Sequence, residues 1–156
     1  MVPPVEREVV VPVAPADAFR RFTRELGRWW PRHSHSVERE RCEEVVFEEG
    51  VGGRIYERTG GQTREWGRVV EWEPPHRVVF TWHPGRAPET SQQVEVTFEP
   101  VPAGTRVRLV HSGWETLGRA APETRARYQG GWAIVLGDFL AAALRRGPLA
   151  SEEMHA

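Results

Sequence analysis

The chain contains no lysine; all 21 of its basic residues are arginine. Schiff-base chemistry and P-loop phosphate binding both need a lysine amine, so both are excluded. Cysteine is nearly absent as well. Cys42 stands alone, so no intrachain disulfide and no cysteine zinc cluster can form. An excess of either charge is missing too, because 21 basic and 22 acidic residues leave a formal net charge of −1. No global field draws such a chain to nucleic acid or to an anionic membrane. No apolar run approaches the roughly 20 residues of a membrane span. The first residues, Met1-Val2-Pro3-Pro4-Val5-Glu6-Arg7-Glu8, lack the basic start and apolar core of a signal peptide. The expectation is a cytoplasmic protein with no nucleic-acid partner and no membrane insertion. His33-Ser34-His35 pairs two imidazoles that could meet His111 or Glu43, but zinc wants three or four ligands and only two are grouped. No metal and no cofactor are expected.

What is present fits one domain. The chain has 156 residues, 39% of them apolar and 28% charged, enough for a real core. Residues 5–13 read as a first strand, and Pro12 marks its end or a sheet edge. Pro15 opens a helix whose buried stripe is Ala18, Phe19, Phe22 and Leu26, with Gly27 able to end it. Trp29-Trp30-Pro31 follows on a second short helical turn or a loop. Strand patterns then run over residues 37–48, 54–59, 64–72, 76–82, 92–99 and 105–114, separated by glycine and proline turns. Their short links predict an antiparallel meander.

The last long pattern is helical. From Pro122 to Arg146, the residues Tyr128, Trp132, Val135, Leu136, Phe139, Ala142 and Ala143 share one face. Gly130-Gly131 interrupts it at a cost of about 1 kcal/mol per glycine. That cost predicts a kink, or close approach by another backbone or a ligand. The N-terminal half of this helix is expected to wall a cavity, and Leu136 to Leu144 to be plain core. Residues 147–156 read as a loose tail.

Several motifs in this order resemble a known family. They are Gly52-Gly53-Arg54, Trp66-Gly67-Arg68-Val69, Glu73-Pro74-Pro75, Val79-Phe80-Thr81-Trp82, Gly104 through Leu109, His111-Ser112-Gly113-Trp114 and Gly131-Trp132. The resemblance is to bacterial proteins of the SRPBCC superfamily, within the group named for its likeness to the C-terminal domain of the Hsp90 ATPase activator. It covers about residues 5–146. It implies an α+β, helix-grip fold (START-like, Bet v 1-like), with a curved antiparallel sheet wrapped around a long C-terminal helix and a hydrophobic cavity between them. It implies no single activity, since the superfamily holds carriers, cyclases, hydrolases and co-chaperones.

The candidate ligand-binding residues are Trp29, Trp30, Phe47, Glu57, Trp66, Trp82, His111, Trp114, Tyr128 and Trp132. Tryptophans suit a pocket that holds an apolar body and orients it through an N–H, though each could equally be core. Alternation turns His111 inward, where it is either an acid–base group near neutral pH or a hydrogen-bonded core residue. Glu57 alternates with Tyr56, and the pattern does not say which of them faces inward. Arg39, Arg41, Arg64 and Arg68 interleave with acids and read as cross-strand pairs. Three functions stay open. The first is a binding protein for a small hydrophobic or amphipathic ligand. The second is a cyclase- or hydrolase-like enzyme using a cavity histidine. The third is a co-chaperone or stress-response interaction module, its chaperone partner resting on the resemblance alone. A homodimer formed through an edge strand or the Trp-rich segment is compatible with each.

Overall fold

Strand alternation and one long amphipathic helix set the architecture. The computed structural model describes residues 2–146; the expected loose tail at residues 147–156 lies outside the described residues. Its strands are β1 (Val5–Val11), β2 (Glu44–Phe47), β3 (Arg54–Thr59), β4 (Gln62–Glu73), β5 (Arg77–Trp82), β6 (Gln92–Val101) and β7 (Gly104–Ser112). The helices are α1 (Pro15–Phe22), α2 (Leu26–Trp29) and α3 (Ala121–Arg146). The seven strands form one antiparallel sheet in the order β1-β7-β6-β5-β4-β3-β2. It is a curled half-barrel, and the three helices lie against it. β1 joins the far edge beside β7, so the meander is closed by the first strand of the chain.

Each strand divides its residues between two faces. On β6 and β7 the buried set is Val94, Val96, Phe98, Val107, Leu109 and His111, and Leu109 sits opposite Val96. The other face carries cross-strand ion pairs such as Arg77–Glu95, Arg106–Glu99 and Arg108–Glu6. Exposed pairs of this kind contribute little stability but keep that face wet and in register. α3 buries Trp132, Val135, Leu136, Phe139, Ala142 and Ala143. Its 26 residues would reach roughly 39 Å at 1.5 Å per residue. Through it, residues distant in sequence share one core.

Two local features depart from the expectation. Residues 37–43 are not strand: a 3-10 turn at Arg39–Arg41 replaces it, and pairing begins only at Glu44. Gly27 does not end α1 but lies within α2, where a Cβ would come within 2.4 Å of the Val45 carbonyl oxygen. Glycine there lets α2 settle onto β2. Gly67 plays the same part in the sheet. Beside an irregular register between β3 and β4, its backbone approaches β5 so closely that an added Cβ would stand 1.8 Å from the Thr81 carbonyl oxygen. The extra residue at this irregularity is Trp66, which is buried.

Candidate functional site

A cavity of about 590 Å³ opens between the N-terminal half of α3, the β4–β5 part of the sheet and residues 34–39. Five aromatic side chains line it: Trp30, Trp66, Trp82, Tyr128 and Trp132. They come from α2's C-terminal end, two adjacent strands and the gripped helix. Ring centroids 5.2 Å apart join Trp30 to Trp66, and 5.3 Å joins Trp82 to Trp132. The cavity's volume lies in the range of small-molecule clefts, and its lining mixes the aromatic rings with serine, histidine and arginine side chains.

Glu57 holds the loop that forms one wall. Its side chain is fully buried on the concave face, with Tyr56 turned toward Arg54 and Arg58 instead. Glu57 accepts hydrogen bonds from the Val37 N–H at 2.7 Å, the Glu38 N–H at 2.9 Å and the Trp66 indole N–H at 2.7 Å. Each donor to a carboxylate makes a charge-assisted bond, which is how a buried charge is tolerated. The indole of Trp30 adds a second tie by donating to the His35 carbonyl at 2.9 Å. The loop is therefore pinned from within.

His111 sits behind the cavity with both nitrogens engaged. Trp132 donates its indole N–H to Nδ1 at 2.9 Å, so Nε2 carries the proton and donates it to the Gln92 side-chain oxygen at 3.2 Å. Burial pushes the imidazole down to about 3. It is neutral at physiological pH and holds Trp132 in place. Trp114 donates to the His111 carbonyl at 3.0 Å and stacks on its ring at 4.1 Å. Tyr128 has its hydroxyl pushed upward by burial; the Trp82 N–H and the Arg86 and Arg127 charges ease that rise. The Trp82 N–H lies toward Tyr128 without reaching hydrogen-bond geometry, and it is buried with no partner among the described residues.

Of the ten sequence candidates, Trp30, Trp66, Trp82, Tyr128 and Trp132 border the cavity. Glu57, His111 and Trp114 lie just behind it. Trp29 and Phe47 pack elsewhere, Trp29 against Phe139 at 4.9 Å and Phe47 against Phe80 at 5.5 Å. Several lining residues were not among those ten, including His35, weighed only as a metal ligand, and Arg39, read as a cross-strand pair. His35 reaches the wall, and its Cδ2 would lie 4.0 Å from a Cβ added at Gly131. Arg39 borders the cavity and has no ion-pair partner among the described residues, unlike Arg41, Arg64 and Arg68. Arg86, Thr124 and Arg127 also border it. Helical spacing could have found Thr124, which precedes Tyr128 by four residues, but not Arg127, which precedes it by one. Among the described residues, no group of three or more His, Cys, Asp or Glu could hold a metal ion. Cys42 is buried, which pushes its thiol upward, away from nucleophilic use.

Comparison with known proteins agrees with this fold. Residues 12–145 match the family described as Activator of Hsp90 ATPase homolog 1-like protein. The chain belongs to that family and has its helix-grip fold. No relative is found among the curated proteins. Solved structures do resemble it. One is an anthrahydroquino-γ-pyrone synthase, 36% identical, covering 78% of this chain and 84% of its own, with a TM-score of 0.57. Another is the Aha1 dimer from Colwellia psychrerythraea, 21% identical, covering 92% and 96%, with a TM-score of 0.68. A third, from Mesorhizobium loti, is 20% identical over 92% and 98%, with a TM-score of 0.65. The last two carry the likeness of fold alone.

Proposed function

We propose that this protein binds a planar, largely apolar small molecule between α3 and the sheet. The observation that carries this reading is the cavity of about 590 Å³ walled by four tryptophans and a tyrosine. Aromatic walls of this kind bury a flat ring system with little loss of side-chain freedom. Exposed large hydrophobic residues do not compete as a docking surface. Val10, Val51 and Val70 lie on separate strands or turns, and Ile134 and Leu144 stand ten residues, about three turns, apart on α3. The reading is tested by titrating a polycyclic aromatic ligand and following tryptophan fluorescence. Saturable quenching at one ligand per chain is expected, and a linear, unsaturable response would refute it.

A second reading, ring-closing catalysis on the bound molecule, is favoured by two observations. The neighbour that is 36% identical is named as a γ-pyrone synthase. His35 also borders the cavity and is not tied at both nitrogens as His111 is. The His35 Nδ1 lies 2.8 Å from the Ser34 hydroxyl. If Nδ1 donates there, Nε2 keeps a lone pair for an acid–base role. In such a closure an enol oxygen adds to a ketone carbon and water leaves. His35 would take the enol proton and deliver it to the former ketone oxygen, giving a hydroxyl. That hydroxyl then leaves as water, with a proton lost from the adjacent ring carbon as the ring double bond forms. Loss of pyrone formation in His35→Gln, with ligand affinity unchanged, supports this reading; unchanged turnover contradicts it.

A further inference from the structure

The polar groups around the cavity are unevenly charged. Arg39, Arg86 and Arg127 border it, and among the described lining residues there is no carboxylate. Arg39 and Arg86 have no acidic partner within ion-pair distance among the described residues, and Arg127 meets only the exposed Glu123 at 3.7 Å. Other arginines such as Arg28, Arg32 and Arg119 also lack an ion pair among the described residues, while cross-strand arginines are paired with acids (Arg58 with Glu44, Arg77 with Glu71 and Glu95, Arg108 with Glu6). What sets Arg39, Arg86 and Arg127 apart is their shared place around one cavity. The backbone at Arg39 is held in the left-handed region, with φ of 50°, the only non-glycine residue so placed among the described ones. That conformation is costly for an arginine and is kept only where the surroundings enforce it. Here the Glu57 bonds to the two preceding backbone N–H groups fix the loop.

The buried Glu57 carboxylate forms no ion pair with these arginines among the described residues. It lies behind Trp66 and is engaged by the Trp66 indole and by the Val37 and Glu38 N–H groups. The cavity therefore offers a ligand three guanidinium groups, the Tyr128 side chain and the unpartnered Trp82 N–H, with no carboxylate among its described lining residues. From this charge we infer that the ligand is an aromatic acid. Its flat body lies among Trp30, Trp66 and Trp132, and its single anionic group (carboxylate, enolate or sulfonate) faces Arg39, Arg86 and Arg127. The inference rests on the cavity-binding reading and adds ligand charge and orientation to it. Arginine suits this task because its planar fork pairs with such groups in two-point fashion.

Two fluorescent probes of nearly the same ring system separate the two claims. Anilinonaphthalene sulfonate carries one anion, and N-phenylnaphthylamine carries none. The sulfonate is expected to bind about tenfold more tightly at low salt, and the preference to shrink as salt rises. In the triple variant Arg39→Gln/Arg86→Gln/Arg127→Gln the sulfonate is expected to weaken to the level of the neutral amine, whose own affinity stays within about twofold. Equal affinity of both probes for the unmodified protein would overturn the anionic ligand and leave the cavity reading standing. A preference that survives in the triple variant would overturn the assignment of the anion to these arginines. Saturation by neither probe would overturn the cavity reading and this inference with it.

Discussion

Trp132 and Phe139 lie two turns apart on the same face of α3, yet only one of them borders open space. Around Phe139 the core is filled. Phe22 stands 5.4 Å away and Trp29 4.9 Å away, and the space left beside them is about 10 Å³. Around Trp132 the neighbours are also aromatic, but they stand back around about 590 Å³. The difference comes from what covers each half. α1 and α2 press their apolar stripes onto the C-terminal half. The N-terminal half is covered by residues 34–39, a polar loop held at its edge by Glu57. Residues of similar chemistry thus make core where a helix covers them and a cavity where a pinned loop does.

Removing a ring from each half should break the symmetry of cost. Phe139→Ala is expected to lower stability by about 3–5 kcal/mol, the usual range for a buried phenylalanine. Tyr128→Ala, at the half-buried cavity edge, should cost about 1 kcal/mol. Denaturant unfolding of the two variants checks this, and similar losses would contradict the division of α3. Next in size is the loop anchor. Glu57→Ala removes the acceptor of three hydrogen bonds. A loss of about 3 kcal/mol follows from roughly 1 kcal/mol per stranded donor, with faster amide exchange at Val37 and Glu38.

The third prediction concerns pH. His111 is neutral in the fold, its value lowered from 6.5 to about 3. Between those values the unfolded chain takes a proton at this site that the fold refuses. Stability therefore falls as pH falls below 6.5, by about 1.4 kcal/mol per pH unit. The groups facing the ring are Trp132 and Tyr128 from α3, Gln92 from β6 and Trp114. None of them is charged, so nothing offsets the slope. The part between pH 6.5 and 5 should be reduced in His111→Gln, measured by thermal unfolding. The smallest effect has the opposite sign. Gly130 is exposed within α3, with nothing near a Cβ there. Gly130→Ala is expected to stabilise by about 1 kcal/mol and to leave ligand affinity unchanged.

Much of this was legible in the sequence. Strict alternation from Gln92 to His111 predicted two adjacent strands and the inward histidine. The spacing from Tyr128 to Ala143 predicted the gripped face. The glycine pair was expected to separate cavity wall from core, but cavity-lining residues continue through Val135 on an unbroken helix, one turn further. What escaped depends on contacts between residues far apart in sequence. Residues 37–43 looked like strand because this charged stretch runs without a glycine or proline into Val45, Val46 and Phe47. Their backbone N–H groups instead serve Glu57, about 20 residues on, and no local pattern records that. Arg39 looked like Arg41 and Arg64 for the same reason. It differs only because the loop turns it toward the cavity.

The central claim is that the space beside Gly131 receives a ligand, and it can be tested by filling that space. Gly131→Phe places a ring in the cavity from a helical position where a Cβ meets nothing closer than His35 at 4.0 Å. Titration of N-phenylnaphthylamine into this variant and into the unmodified protein, with thermal unfolding of both, is the direct comparison. The account predicts saturable binding to the unmodified protein and at least about tenfold weaker binding to Gly131→Phe at undiminished thermal stability. Equal affinity in the two proteins would contradict it.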